Sequence, residues 1–172
     1  MLFDYLPVVL RFHAAELLYS PKVHGLSVNT FFNKCEEQQD PDADLQAMPT
    51  LFIIEESDGT VFGGFASEKW RPMTKYYGTG DSFLFKLVGP PNEEAPTVWP
   101  ASLANSHFQY STEEAPIAMG GGSAGFALCV DAEWMRGLCA QNCETFGMHE
   151  PIVEGKEEFI VRDIEVWHLV PP

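Results

Sequence analysis

The sequence predicts an α+β domain, or a β-sandwich with helices packed outside it. Many short runs of Phe, Val, Ile and Leu alternate with turns rich in Gly and Pro, and only two or three segments suggest helices. Strands alternating with long helices, which a doubly wound sheet requires, are not apparent. The 172 residues, 45% of them apolar and 13 of them Phe, are enough to bury a sizeable core. We expect residues 1–172 to form a single domain.

The stretch Leu51–Ala66 predicts a central hairpin. Its first four residues form a continuous apolar run, as in a strand buried on both faces. Ser57–Gly59 supplies a tight turn, and Thr60–Phe65 returns as the second strand. Because glycine weakens a strand, the pair Gly63 and Gly64 indicates a bulge or the close approach of another backbone.

The N-terminal third contains one well-defined helix signal. Ser27 is a suitable N-cap for a helix over Val28–Glu37, in which Phe31, Phe32 and Cys35 share one face. The flanking segments predict short helical turns on each side of Pro7, a brief extended segment at Leu17–Ser20, a turn at Ser20–Lys22 and an acidic surface loop at Gln38–Pro49.

The remainder predicts further strands between loops. Strands are expected at Ser82–Leu87, His107–Ser111, Phe126–Val130 and Phe159–Leu169, and loops at Tyr76–Asp81 and Gly89–Ala104. Ser67–Pro72 predicts a loop or a single helical turn. Asp131 predicts the N-cap of a short helix that ends at Leu138. Both faces of the last predicted strand mix apolar and polar side chains, so the alternation does not identify its buried face.

The charge of the chain limits its partners. Ten Lys and Arg stand against 25 Asp and Glu, for a formal net charge of −15. Such a surface repels phosphate backbones and anionic lipids, so we expect no nucleic acid binding and favour a protein partner with a basic face. There is no apolar run of the roughly 18 residues that a membrane span needs, nor a secretory signal, so we expect no membrane insertion. Four Cys without an export signal predict reduced thiols in the cytosol.

The glycine run Gly120–Gly125 matches two catalytic patterns. It contains the spacing of a dinucleotide-binding loop and, around Ser123, that of a hydrolase nucleophile elbow. Both mechanisms need a helix directly after the glycines, whereas Phe126–Val130 has the composition of a strand. The run therefore predicts a tight turn or bulge, without a bound cofactor.

Neither the histidines nor the cysteines assemble a site in sequence. The five His show no metal-ligand spacing, and Cys139 and Cys143 lack a second pair, so we expect no metal centre. Glu144 follows Cys143, and an adjacent carboxylate raises a thiol pKa instead of lowering it. A nucleophilic Cys whose partners come together only in the fold remains an open alternative.

A series of motifs resembles the TLDc domain of the oxidation-resistance proteins over nearly the whole chain. The residues that carry the resemblance are Leu17–Ser20, His24-Gly25, Ser27, Thr30–Phe32, Asp58-Gly59, Phe62–Ser67, Trp70, Tyr77–Phe85, Phe108–Tyr110, Gly125–Leu128, Cys143–Gly147 and Asp163–Trp167. The set is specific because so many short motifs occur in the family's order. The chain departs from it at Ala14–Glu16, where the family often has Trp and a basic residue, and in two loops, Gln38–Pro49 and Gly89–Ala104, that look expanded.

The resemblance implies two antiparallel β-sheets packed as a sandwich with short flanking helices, in a cytoplasmic protein that protects against oxidative damage. It also implies binding and regulation of the vacuolar-type proton-pumping ATPase, with recruitment to vacuolar or endolysosomal membranes. The family has no agreed catalytic residues, so we expect no enzymatic activity. One alternative is a thiol-dependent antioxidant that uses Cys143 or Cys35. The other is a plain interaction module of a larger trafficking regulator, such as one with a GTPase-activating domain.

Glycine-bounded loops are where we expect the partner-binding residues, because rigid sheets commonly present binding groups on such connections. The predicted residues are His24, Gly25, Gly80, Asp81, Glu144 and Gly147. The alternative for Asp81 is that it caps a turn, and for Glu144 that it satisfies a nearby backbone amide.

Overall fold

The structure is a computed structural model that describes residues 2–37, 48–87 and 95–171. Its helices are two 3-10 turns, Leu2–Tyr5 and Val8–Leu10, followed by α1 (Pro21–His24) and α2 (Val28–Glu37). Its strands are β1 (Ala14–Tyr19), β2 (Thr50–Glu56), β3 (Val61–Ala66), β4 (Phe83–Leu87), β5 (Thr97–Pro100), β6 (Gln109–Tyr110), β7 (Ile117–Met119), β8 (Leu128–Val130), β9 (Arg136–Leu138) and β10 (Glu158–Val170). None of the helices in these ranges is long and apolar enough to cross a membrane. Most of the first predicted loop, residues 38–47, lies outside the described residues, as do residues 88–94.

The strands form one continuous antiparallel sheet in the order β5-β4-β3-β2-β10-β9-β8-β7-β6, and β1 also pairs with β10. The predicted α+β class is confirmed. The two separate sheets of the predicted sandwich are instead one sheet, because β10 pairs with β2 on one side and with β9 on the other. The β2–β5 wing and the β6–β9 wing contribute to the same buried cluster, for example through Phe52 and Phe62 on one side and Ile117 and Leu128 on the other. The sheet therefore encloses its main core between its own wings.

A β-bulge in β10 explains why the sequence did not show which face of this strand is buried. Val161 pairs with Glu56 and Asp163 with Glu55, so one extra residue lies between them on β10. Side-chain parity reverses there. Phe159 faces the main core before the bulge, and Ile164, an odd number of residues later, faces it afterwards. The mixed faces of the sequence pattern are the result of this single inserted residue.

The predicted hairpin lies in the middle of the β2–β5 wing, between β10 and β4. Its turn is closed by two hydrogen bonds, from Gly59 N–H to the Glu56 carbonyl at 2.9 Å and from Thr60 N–H to Asp58 Oδ1 at 2.9 Å. Regular pairing continues through both glycines, so the structure selects close approach over a bulge. A Cβ on Gly63 would overlap the carbonyl oxygen of Phe52 on the neighbouring strand.

The helix α2 has the predicted bounds and buried face. Ser27 caps it, since the Thr30 N–H donates to Ser27 Oγ at 3.3 Å. Phe31 is completely buried, and its ring lies 5.2 Å from the rings of both Tyr19 and Trp134. The helix is thus fastened to the sheet through an aromatic cluster.

Three local predictions are wrong. Asp131 does not begin a helix: its Oδ1 accepts hydrogen bonds from the Met135 and Arg136 amides and closes a turn into β9. The chain after Ser20 forms the single-turn helix α1 instead of a simple turn, because Pro at its first position suits a helix start. The described end of the second predicted loop contains β5, in which Thr97, Val98 and Trp99 favour an extended strand and pair with β4.

Candidate functional site

The predicted site residues Gly80 and Asp81 lie in a turn before β4. The Ser82 N–H donates to the Thr79 carbonyl at 3.1 Å, and the Thr79 hydroxyl lies 3.4 Å from Asp81 Oδ2. This long contact supports the turn, as the capping alternative predicted, but the Asp81 side chain is otherwise exposed. Its carboxylate therefore remains accessible to a partner.

The predicted residues Glu144 and Gly147 lie in a second tight turn, in which the Gly147 N–H donates to the Glu144 carbonyl at 3.2 Å. Gly147 has φ 59, a left-handed conformation that glycine adopts without cost. The Glu144 side chain is exposed, and within the described residues its carboxylate accepts no hydrogen bond. The alternative in which this carboxylate satisfies a backbone amide thus finds no support there.

Ser102 and Leu103 bring these two turns together. The Ser102 N–H donates to the Thr145 carbonyl at 2.8 Å, and its hydroxyl donates to the Glu144 carbonyl. On the other side, Leu103 Cδ2 would lie 3.1 Å from a Cβ added to Gly80. We call this surface the loop face and define it by Gly80, Asp81, Ser102, Leu103, Glu144 and Gly147.

Leu103 is a member of the loop face that the sequence did not reveal. Its side chain is 76% exposed and its backbone has φ 62. A left-handed conformation costs a side-chain-bearing residue on the order of 1–2 kcal/mol, and strain of this kind is common at functional sites. No sequence signal marks it, because a leucine in a loop looks the same whether it is buried or presented.

The N-terminal turns border the loop face. A cavity of about 280 Å³ separates Tyr5 and Val8 from Gly80 and Asp81. Val8, like Leu103, is a mostly exposed apolar side chain. The site therefore combines exposed carboxylates with apolar side chains, a composition suited to a protein partner that offers basic and apolar groups.

His24 and Gly25 lie elsewhere. His24 stacks on Tyr19, and Tyr19 packs against Trp134, near the Val130 end of β8. The Thr145 turn of the loop face lies near the opposite end of β8, where the Gly121 N–H donates to Thr145 Oγ1. His24 Nδ1 accepts the Ser20 N–H at 3.1 Å, and the Tyr19 hydroxyl donates to the Gly25 carbonyl at 2.6 Å. These bonds give both residues a structural task in the α1 turn.

The protonation of His24 fits that task. Partial burial, and next the positive charge of Lys34, lower the pKa of His24 below its ordinary value. The neutral ring is needed for Nδ1 to accept the Ser20 N–H. The structure thus divides the six predicted residues between the loop face and a separate α1 turn.

The glycine run forms a bend with positive φ at Gly120, Gly122 and Gly125. It leads into the strand β8, as predicted, and the helix required for phosphate binding or for a nucleophile elbow does not follow it. A Cβ on Gly120 would lie 2.7 Å from Cys143 Sγ, so this glycine allows two chain segments to approach closely.

All four cysteines are free and buried. Burial raises the pKa of the Cys35 thiol to about 12, against a smaller opposing effect of Lys69. The Cys143 thiol points to the Gly121 carbonyl at 3.7 Å and is only 2% exposed. A thiolate nucleophile must be both ionised and accessible, so neither sulfur has the setting of a reactive thiol.

We expect the native protein to resist thiol reagents. At pH 8, excess Ellman's reagent should label no thiol rapidly in buffer and all four in urea. Because the folded pKa of Cys35 is raised, its contribution to stability is complete below about pH 8.5 and falls as the pH rises towards 12. Peroxide consumption over many equivalents that Cys35→Ser or Cys143→Ser abolishes would contradict this expectation.

The chain is similar to known proteins over most of its length. The family model of the TLDc domain matches residues 1–170. The chain is 33% identical to nuclear receptor coactivator 7 of Gallus gallus over 162 residues, which cover 94% of this chain and 16% of that protein. It is 34% identical to oxidation resistance protein 1 of Xenopus laevis over 151 residues, which cover 88% of this chain and 16% of that protein. The chain spans only that small share of these curated relatives.

Proposed function

The chain belongs to the TLDc domain family, and on that premise we propose that it is a non-enzymatic module that binds and regulates the vacuolar-type proton-pumping ATPase. Through this interaction it contributes to resistance against oxidative stress, in the cytoplasm and at vacuolar or endolysosomal membranes. The similarity to oxidation resistance protein 1 supports the stress-related role. The absence of an accessible thiol among the four cysteines favours binding over the antioxidant alternative.

The observation that carries the proposal is the loop face. Asp81 and Glu144 present carboxylates that form no ion pair within the described residues, and the exposed Leu103 lies between their turns. These carboxylates can attract and orient a basic surface without first breaking an ion pair. An exposed leucine can fill a pocket on that surface. We assign the pump-binding role to this face.

The test is capture of the pump's soluble catalytic sector by the immobilised domain. We expect Asp81→Lys with Glu144→Lys to weaken capture by at least about tenfold, because two attractive charges become repulsive. The matched control, Glu133→Lys with Glu154→Lys, makes the same charge change at exposed sites outside the loop face and should capture like the wild type.

Two further results would overturn parts of the proposal. Equal loss of capture in both double variants would reduce the effect to net charge and remove the loop face from the interface. A folded wild-type domain that captures no pump sector would refute the function itself. His24→Ala, tested separately, should leave capture unchanged; a loss confined to this variant would move the interface to the α1 turn.

A further inference from the structure

A second surface lies on the outer side of the β6–β9 wing, where a groove of about 720 Å³ crosses β8, β9 and the start of β10. The apolar residues that line it include Phe126, Cys129, Leu138 and Ile160. No helix of the described residues lines it. The groove shares no residue with the loop face and is not used by the proposed pump interaction.

Strand register explains why apolar side chains point outward here. Phe159 faces the main core, so its neighbours Glu158 and Ile160 face the outer side. Glu158 pairs with Leu138 and Ile160 pairs with Arg136, which places Leu138 and Ile160 diagonally across two strands. The two side chains are 51% and 57% exposed. This sheet face thus leaves an apolar pair open to solvent.

Two hairpin turns form the walls of the groove. The turn between β6 and β7 contributes Glu114, and the Thr112 N–H donates to the Ala115 carbonyl at 3.0 Å to close it. The turn between β2 and β3 is held against β10, since the Ser57 N–H donates to the Ile160 carbonyl at 3.0 Å. Both walls are fixed by backbone hydrogen bonds, so the groove is a pre-formed feature.

The groove is acidic. Four carboxylates line it, Glu56, Glu114, Asp131 and Glu158, against the two cations Arg136 and Lys156. Lys156 Nζ is engaged by Glu56 at 2.9 Å and by Asp58 at 3.1 Å, so the charges of Lys156 and Glu56 offset each other and three carboxylates remain against Arg136. Within the described residues Glu114 and Glu158 form no ion pair, and both are exposed. The negative charge at the rim is therefore available to an incoming cation.

We propose that this groove binds an amphipathic peptide segment of a partner protein, whose apolar side chains lie on Leu138 and Ile160 and whose Lys or Arg side chains meet Glu114 and Glu158. A helix of about 10 Å diameter is comparable in width to three strands, and helices commonly dock by one apolar face into such grooves. The net charge of −15 favours the same basic partner at longer range.

The probe is a synthetic Leu/Lys peptide of about twelve residues, roughly three helical turns, with Leu at i, i+3, i+4 and i+7. Titrated against the whole chain, it should bind at least about tenfold more tightly than the same sequence with Glu in place of Lys. Methyl NMR signals of Leu138 and Ile160 should shift on binding, while those of the similarly exposed Val23 and Leu26 should not. Shifts confined to Val23 and Leu26 would overturn the assignment.

The decisive variant is Leu138→Asp with Ile160→Asp. It adds negative charge, so electrostatic attraction alone would strengthen binding of the Leu/Lys peptide; loss of binding therefore identifies the apolar contact. The matched control, Val23→Asp with Leu26→Asp, makes the same change at exposed apolar sites and should retain binding.

Equal binding by the two double variants would overturn the proposal, as would tighter binding of the Leu/Glu peptide. Self-association of the free chain in sedimentation, abolished by Leu138→Asp with Ile160→Asp, would instead assign the groove to a second copy. If Leu138→Asp with Ile160→Asp does not fold, the methyl shifts of the wild type decide whether the peptide binds at Leu138 and Ile160.

Discussion

Gly63→Ala is expected to destabilise the fold severely. The added methyl group would overlap the carbonyl oxygen of Phe52, which belongs to the backbone of the adjacent strand and cannot rotate away. The β2–β3 pair lies inside the sheet, so separating its strands would disturb the pairing on both sides. We expect a loss of more than about 4 kcal/mol in the free energy of unfolding, measured by urea denaturation followed by circular dichroism.

Two other glycines provide graded controls. A Cβ on Gly64 would lie 2.8 Å from the Phe52 ring and 2.9 Å from Met119 Sδ, which are side-chain atoms that can shift. Gly59 has open space around it but φ 92, so Gly59→Ala should cost only about 1 kcal/mol through backbone strain. The expected order of destabilisation is Gly63, then Gly64, then Gly59. A Gly63→Ala variant as stable as Gly59→Ala would mean that β2 and β3 do not pair in this register.

Phe31→Ala should produce the other large loss of stability. The Phe31 ring is completely buried and lies 5.3 Å from the Phe32 ring, in addition to its contacts with Tyr19 and Trp134. Truncation leaves a cavity among aromatic rings that cannot easily collapse, and such substitutions cost about 3–5 kcal/mol. The midpoint of urea unfolding should fall accordingly, without a change in slope.

Phe32→Ala and Val23→Ala are the comparisons. Phe32 lies on the same helix face but is 9% exposed, so its loss should be smaller than that of Phe31. Val23 is 67% exposed, and its truncation should change stability by less than about 0.5 kcal/mol. If Phe31→Ala and Phe32→Ala both unfold like the wild type, the aromatic cluster does not hold α2 against the sheet.

The candidate site could be predicted from the sequence only in part. Glycine next to a polar residue correctly marked the Gly80–Asp81 and Glu144–Gly147 turns as exposed connections, because these turns follow from local backbone preferences. Their proximity depends on Ser102, whose hydrogen bonds span more than 40 residues of sequence. The same long-range packing exposes Leu103, and no local pattern encodes it.

By itself the sequence determined the elements whose causes are local. The helix α2 follows from its Ser27 cap and its apolar spacing, and the β2–β3 hairpin from its apolar run and its Asp-Gly turn. Only the tertiary structure decided the rest. The bulge between Val161 and Asp163 reverses which side chains of β10 are buried, and pairing with the more distant β10 makes β9 a strand where Asp131 suggested a helix. The physical reason is that strands are stabilised by partners distant in sequence, so their register and their exposed faces are settled only when those partners meet.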